Sequence, residues 1–280
     1  MRRQSMLSVR GGRLAGCGSF ALLLAYTATT AAAQTVAERV AGTRTGSVML
    51  HFETRPGVCG DGGRIIGIGS GQHRITQYRG GTSWSSGSGY KVHEGCLSGP
   101  AYLLISTREG AVTRVRVTVG PRIQPNADVG ARDLGEISAD NAMDFLVGLA
   151  ERSDGYEGDD ALFAASLAAA PPPWARVLRI ARAEDRPRKV RRQATDWLAA
   201  GAGEAVVGGD GDPPRDTERE VRESAVFALS QRPRSESVPA LLKVARTNRD
   251  PWVRQTALFW LGQSADVRAL DLFEELLLRR

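Results

Sequence analysis

The chain has 280 residues, of which 42% are hydrophobic and 24% are charged, and this composition excludes a low-complexity or disordered protein. Its 37 basic and 31 acidic residues give a net charge of +6. Four of the basic residues lie within the first 33 positions, so the remainder carries 33 basic against 31 acidic residues, a net charge of +2. Such a small excess does not indicate a nucleic-acid partner.

The first 33 residues have the order of a secretory signal peptide. Arginines without acidic residues come first, the apolar run 20–26 follows, and Ala31-Ala32-Ala33 ends the segment. This order predicts export to the periplasm or beyond, with cleavage near Ala33. No apolar run reaches the ~20 residues of a transmembrane helix, so no transmembrane segment is predicted.

The cysteines fit an exported protein. Cys17 leaves with the signal peptide, and export predicts a disulfide between the remaining pair, Cys59 and Cys96. On the chain-entropy model, closing this loop stabilises the fold by roughly 4 kcal/mol. Two alternatives stay open. In the first, Cys59 and Cys96 are free thiols. In the second, Leu14-Ala15-Gly16-Cys17 is a lipobox with a lipidated Cys17, although the apolar run here follows the cysteine.

Strand patterns dominate the first part of the mature chain. Residues 47–53 and 101–107 are typical of strands, and residues 112–119 alternate valines with polar residues, which favours a half-buried antiparallel strand. Glu109-Gly110 is placed to join the last two as a hairpin. The fold class predicted is therefore α+β, in which residues 34–125 form a small antiparallel β domain of four to six strands, pinned by the disulfide.

From Ser138 onward the apolar period becomes helical. Ser138 is a candidate N-cap for the first helix, and further helices are predicted over about 161–169 and 174–183. Residues 126–280 are therefore predicted to form an all-α domain.

Three segments of this helical region align without gaps. They begin with Val-Arg at Val190, Val221 and Val253, with Ala four residues and Leu eight residues after each Val. The three positions share one helical face. A second matching helix precedes two of the copies, at 177–182 and 241–246. Helix pairs repeated at a fixed spacing are typical of a solenoid, because no pair buries its apolar faces alone.

These segments resemble HEAT repeats. The short period and the turn Asp250-Pro251-Trp252-Val253-Arg254 are most similar to the brief HEAT-like repeats of phycobilisome lyases, and the chain as a whole is similar to exported bacterial HEAT-repeat proteins. The resemblance implies the fold of about residues 160–280 and does not imply a function. Two departures follow from the sequence. The middle repeat lacks a convincing first helix because residues 201–216 are rich in glycine, and residues 265–280 end the repeats as a capping helix.

Catalytic residues, a metal site and a cofactor are not predicted, and the chain is interpreted as a non-enzyme. The alternative is a metal- or ligand-binding enzyme module in the β domain, using His51, His73 or His93 with Glu53, Asp61 or Glu94, although no metal-ligand spacing supports it.

The leading hypothesis is a scaffold or adaptor that binds an unknown protein through the second helices of its repeats. A third reading is an envelope protein that binds an acidic protein, anionic wall polymer or lipid through the arginine-rich segment around residues 186–192. The candidate partner-binding residues combine that basic segment, the repeated arginines and the repeated phenylalanines: Arg188, Lys189, Arg191, Arg192, Arg222, Phe227, Arg254 and Phe259.

Overall fold

The structure, a computed structural model, describes residues 34–63, 66–68, 73–78, 81–86, 97–121, 130–155, 157–207 and 217–279. Gln34–Arg280 form one compact unit. The predicted signal peptide and the lipobox alternative lie outside the described residues.

Strands dominate the first half of this unit and helices the second, so the α+β class is confirmed. The first sheet has the order β7-β6-β1-β8, from β1 (Gly46–Phe52), β6 (Ala101–Arg108), β7 (Ala111–Val119) and β8 (Arg132–Glu136). β1, β6 and β7 pair antiparallel, whereas β8 pairs parallel to β1. The sheet is therefore mixed rather than purely antiparallel, and its last strand comes from beyond residue 125.

The predicted hairpin joins β6 to β7. Glu109 and Gly110 both have positive φ angles, 56° and 85°. Two central residues with positive φ suit the tight two-residue turns whose twist matches that of paired strands. Val115 and Val119 then face the core, as the alternating pattern predicts.

A second sheet has the order β2-β3-β4-β5, from β2 (Cys59–Gly60), β3 (Ile66–Ile68), β4 (His73–Tyr78) and β5 (Gly81–Ser86). The described residues therefore hold eight strands, more than the four to six predicted. Cys59 is nearly buried in β2. Cys96 lies outside the described residues, so the disulfide stays a prediction. The backbone of Leu97, which follows Cys96, pairs with that of Gly60, which follows Cys59.

Nine helices occupy the described residues, and all but the first follow the strands. Their bounds are α1 (Val36–Ala41), α2 (Ala139–Arg152), α3 (Glu157–Ala165), α4 (Trp174–Arg182), α5 (Arg188–Val207), α6 (Thr217–Ser230), α7 (Arg234–Thr247), α8 (Pro251–Ser264) and α9 (Val267–Leu278).

The helix boundaries have local causes. The hydroxyl of Ser138 accepts a hydrogen bond from the backbone N–H of Asn141 (3.2 Å), which confirms the predicted N-cap of α2. α3 begins and ends earlier than predicted. Acidic residues in its first turn favour the earlier start. The earlier end follows because Ala169 donates its N–H to the carbonyl of Glu53 (3.0 Å), so this segment joins the strand region instead of the helix.

α5 continues through glycines that predict a helix end. A Cβ atom on Gly201 would lie 2.3 Å from the ring of Trp174 in α4, and one on Gly203 would lie 2.9 Å from Gln255 in α8. The missing side chains therefore let α4 and α8 approach α5 closely, and this packing offsets the low helix propensity of glycine.

The helices do not stack in chain order. α8 packs against both α5 and α7, and α6 packs against α7 and α8. α5 and α8 run antiparallel. Arg192 near the start of α5 bonds to Gln263 near the end of α8 (3.0 Å), and Arg254 near the start of α8 donates to the carbonyl of Val206 near the end of α5 (3.2 Å). Repeats stacked in sequence order were expected. Instead α8 lies between α5 and α6.

Candidate interaction surface

The first and third copies of the repeated motif turn their Val, Ala and Leu into the hydrophobic core. α4 packs against α5, and α7 packs against α8. In both copies, the first helix of the repeat therefore packs against the helix that carries the motif. The buried residues are Val190, Ala194 and Leu198 in α5, and Val253, Ala257 and Leu261 in α8.

The middle copy, in α6, leaves the Val and the Ala of this face exposed to solvent. Val221 is 65% exposed. Ala225 and Ala228 are also exposed, Leu229 is half-buried, and the helix enters the core instead through Val226. We call Val221, Ala225 and Ala228 the open face of α6. An apolar stripe of this kind, left uncovered on one copy of a repeat, marks a candidate binding surface.

Aromatic rings border the open face. Phe227 is 48% exposed, and its ring centroid lies 5.1 Å from that of Trp260 in α8. The ring of Phe259 packs edge-on against Trp260 at 4.8 Å. Both predicted phenylalanines thus join one cluster, with Phe227 as its more accessible member. Large aromatic side chains that are already held in place are frequent anchors in protein interfaces.

The two predicted arginines of the later motif copies hold the helices together. A guanidinium nitrogen of Arg222 lies 3.3 Å from a carboxylate oxygen of Asp250, which also caps α8 by accepting the N–H of Trp252 (2.9 Å). Arg254 donates to the carbonyls of Asn248 (2.9 Å) and Val206 (3.2 Å). The geometry gives Arg254 a role inside the fold rather than on a binding surface.

The side chains of the predicted basic segment differ in their exposure and in their contacts. Arg188 and Lys189 at the start of α5 are exposed, and Arg191 is half-buried. Arg192 is exposed but bonds to Gln263 and lies 3.9 Å from Asp196.

Arginines upstream of this segment are held by acidic residues. Arg176 bonds to Asp144 (2.6 Å) and Glu151 (2.8 Å), and Arg182 bonds to Asp271 and Glu274 (both 2.7 Å). Arg176 also lowers the pKa of Glu151. Much of the positive charge is therefore balanced within the fold.

Two aspartates, Asp196 in α5 and Asp160 in α3, have raised pKa values. Burial raises the pKa of Asp196 to about 7, although Arg192 and a hydrogen bond from Gln263 oppose the shift. Burial and the neighbouring Asp159 raise the pKa of Asp160 to about 6. Shifts of this kind make local stability depend on pH near neutrality.

A cleft of about 540 Å³ opens beside α6, between α6, α7 and the α7–α8 turn. Three basic residues line it together with apolar and polar groups. Its lining residues are Arg222, Lys243, Val244, Thr247, Asn248, Arg249 and Asp250.

The histidines considered for chemistry are not brought together by the described part of the chain. His51 lies on β1, with its Nε2 atom 4.0 Å from an oxygen of Glu136 and its ring 5.5 Å from that of Tyr102. His73 begins β4, whereas His93 and Glu94 lie outside the described residues. Within the described ranges, no three histidine, cysteine or acidic residues form a group suited to a metal ion.

The C-terminal helices match a known repeat family. Residues 214–280, which contain α6 to α9, match the family model of HEAT repeats. This match supports the HEAT-repeat superfamily for that region. No curated protein and no solved structure matches the chain significantly. HEAT repeats in general suggest a protein-interaction scaffold and are generally non-enzymatic. Across the described helices, none is long and apolar enough to span a membrane.

The sequence pattern placed the Val, Ala and Leu of all three motif copies on one helical face and gave no difference in burial between the copies. The open face of α6 was therefore missed, and so were the ring of Trp260 as part of the surface cluster and the basic side chains of Lys243 and Arg249. A signal for the open face was present in the sequence, because residues 208–216 contain no aliphatic or aromatic residue that could form the apolar face of a covering helix.

Proposed function

We propose that the protein is an exported, non-catalytic scaffold that binds a partner protein through its HEAT-like repeats. The observation that carries this proposal is the open face of α6, where Val221 and Ala225 are exposed while the equivalent Val and Ala of α5 and α8 are buried. Phe227 extends this apolar surface and is fixed by Trp260. The likeness to phycobilisome-lyase repeats concerns the helix pattern and adds no activity to the proposal.

Export is part of the proposal. The first 33 residues have the charge, apolar core and small residues of a cleavable signal, and the compact unit begins at Gln34, directly after the predicted cleavage point. N-terminal sequencing of the protein isolated from the cell envelope and medium tests this, and we expect Gln34 as the first residue. A chain that begins at a lipidated Cys17 would replace cleavage after Ala33 by membrane anchoring.

The binding proposal has a matched pair of variants. Val221 on the open face and Val267 at the start of α9 are both valines, 65% and 64% exposed. The full mature protein is used as bait in cross-linked affinity capture from envelope and secreted fractions, read by mass spectrometry. We expect a partner that is enriched by the wild type and by Val267→Glu but lost with Val221→Glu. Equal capture by all three baits contradicts binding at this face.

A second candidate function is binding of an anionic polymer or lipid headgroup in the basic cleft beside α6. Arg222, Lys243 and Arg249 line that cleft, although Asp250 already pairs with Arg222. Retention on purified wall polymer or anionic vesicles is then expected to fall steeply between low and high salt, and to fall further in a Lys243→Gln, Arg249→Gln double variant.

A further inference from the structure

The chain itself shows what covers a motif helix of this kind. α4 packs on α5, and α7 packs on α8. The two covering helices share a sequence pattern, with two aliphatic residues in a row, a third one two positions later and Ala directly after that. The matching segments are Val177-Leu178-Arg179-Ile180-Ala181-Arg182 and Leu241-Leu242-Lys243-Val244-Ala245-Arg246, in which Val177, Leu178, Ile180, Ala181, Leu241 and Ala245 are buried.

The basic residues of this pattern serve another contact. Arg182 bonds to Asp271 and Glu274 of α9, and Arg246 bonds to Glu275 of α9 (2.9 Å). These two arginines are therefore directed to α9, and most of the aliphatic and Ala residues of the pattern are buried.

The middle repeat has no such helix in its own sequence. α5 extends to Val207, and α6 begins at Thr217. The nine residues 208–216 comprise three Gly, three Asp, two Pro and one Arg, with no aliphatic or aromatic residue. A segment of this composition cannot supply an apolar helical face. The motif of α6 is thus a repeat half whose covering half is missing from the adjacent chain.

We propose that the open face of α6 binds an amphipathic helix of a partner protein that carries the covering pattern seen in α4 and α7. The partner helix completes the middle repeat from outside the chain. This inference rests on the proposed scaffold function and specifies the partner. The small side chains of Ala225 and Ala228 allow the two helices to approach closely, and Phe227 borders the open face.

The chemistry of the open face favours a different helix over a second copy of this chain. Val221, Ala225 and Ala228 are small, so two open faces placed together would leave few large side chains to fill the interface. Of the described large apolar residues that are exposed, the only two on another helix are Val267 and Leu278, at opposite ends of α9. A second copy therefore does not present the covering pattern in its described part.

A peptide with the sequence of residues 171–184 is a direct probe, because it contains the helix that covers α5. The labelled peptide is titrated into the full mature protein, with fluorescence anisotropy for binding and circular dichroism for helix formation. We expect saturable one-to-one binding accompanied by gain of helix. Val221→Glu is expected to weaken binding at least ~10-fold, since it places a carboxylate in an apolar contact. Val267→Glu adds the same charge elsewhere and is expected to leave the affinity unchanged.

The controls separate a specific helix contact from charge attraction. A peptide with Leu178→Asp and Ile180→Asp keeps the arginines but loses the aliphatic face, and we expect it not to bind. Binding that is the same for this peptide, or the same for Val221→Glu, overturns the proposal, and so does absence of binding up to millimolar peptide. Matching thermal melts of the two protein variants show that each is folded.

Two further outcomes distinguish this inference from the scaffold function on which it rests. If the captured partner is lost with Val221→Glu but no peptide binds, the scaffold function stands and the helical occupant is wrong. If neither partner nor peptide depends on Val221, both fail. A concentration-dependent dimer in analytical ultracentrifugation that Val221→Glu dissociates would instead identify a second copy as the occupant and overturn the partner helix.

Discussion

α6 and α8 carry the same motif and place it in opposite environments. In α8, which packs against α5 and α7, the Val, Ala and Leu are buried, whereas in α6 the Val and Ala are exposed. The difference does not come from the motif residues themselves, which are identical at these positions. It comes from the preceding segment, which forms a helix before α8 and is a short Gly-, Pro- and Asp-rich stretch before α6. A repeat motif thus defines a face that can be covered, and the neighbouring sequence decides whether the chain covers it.

The largest contrast is expected from the same substitution at the central Ala of each motif. Ala257→Glu in α8 buries a carboxylate without a partner, and we expect it to lower the free energy of unfolding by roughly 3–5 kcal/mol or to prevent folding. Ala225→Glu in α6 adds a carboxylate to an exposed surface, so its effect is expected to stay within ~0.5 kcal/mol. Urea unfolding followed by circular dichroism measures both, and equal losses would contradict an open face on α6.

A smaller difference in stability between α8 and α6 is expected from substitutions of the residue that follows the motif Leu. A Cβ atom on Gly262 of α8 would lie 2.6 Å from the Cβ of Ala199 in α5. Gly262→Ala is therefore expected to destabilise the protein by about 1–3 kcal/mol, although Ala is the better helix former. The equivalent residue of α6 is Ser230, where Ser230→Ala is expected to change stability by less than ~1 kcal/mol. Thermal melts compare the two, and a stabilising Gly262→Ala would show that α5 and α8 can separate at little cost.

The residue two positions before the motif Leu affects how the stability of each motif helix depends on pH. Here α6 and α8 have Phe227 and Phe259, whereas α5 has Asp196, whose pKa is raised to about 7 by burial. The folded protein then binds the proton more tightly than the unfolded chain. Stability contributed by this group is complete below the ordinary pKa of an aspartate and is lost as pH rises towards 7.

Asp196→Asn removes this titration while keeping an oxygen that accepts the hydrogen bond of Gln263. Because the Asp196 side chain is 26% exposed, we expect a moderate gain, roughly 2 kcal/mol at pH 8, and little difference near pH 4. Urea unfolding at several pH values checks this. A gain that does not vary with pH would contradict a raised pKa.

Only a small effect on stability is expected from Phe227→Ala. The ring is about half exposed, so its loss is expected to lower the free energy of unfolding by less than ~1 kcal/mol. The same change is expected to reduce capture of the partner, since it removes an aromatic anchor from the surface. Phe259→Ala, whose ring is less exposed, is the comparison. A larger loss of stability from Phe227→Ala than from Phe259→Ala would reverse the assignment of surface and core.

Local features of the fold were predictable from sequence because each depends on a few adjacent residues. The cap at Ser138 and the turn at Glu109-Gly110 are of this kind. β8 was not predicted, because Arg132–Glu136 lacks an alternating apolar pattern and is defined by its pairing with β1. The continuation of α5 past Gly201 was also missed, since the ring of Trp174 that fills the space comes from another helix.

In the candidate surface too, features that depend on adjacent residues were predicted from sequence, whereas those that depend on contacts distant in sequence were not. Phe227 was found from its repeated position, and the composition of the chain before the middle motif showed no apolar helical pattern. The insertion of α8 between α5 and α6 depends on contacts such as that of Gly262 with Ala199, which no single segment encodes.

The parallel pairing of β1 with β8 has a consequence for how the molecule reaches its fold. His51 pairs with Glu136 across a long sequence interval, and α2 and α3 separate that strand from the helices of the repeats. Contacts so distant in sequence raise the relative contact order and slow the search for the native topology. We therefore expect the strand region to complete its sheet only after the chain up to β8 is available, so that strands and repeats acquire their structure in one cooperative transition.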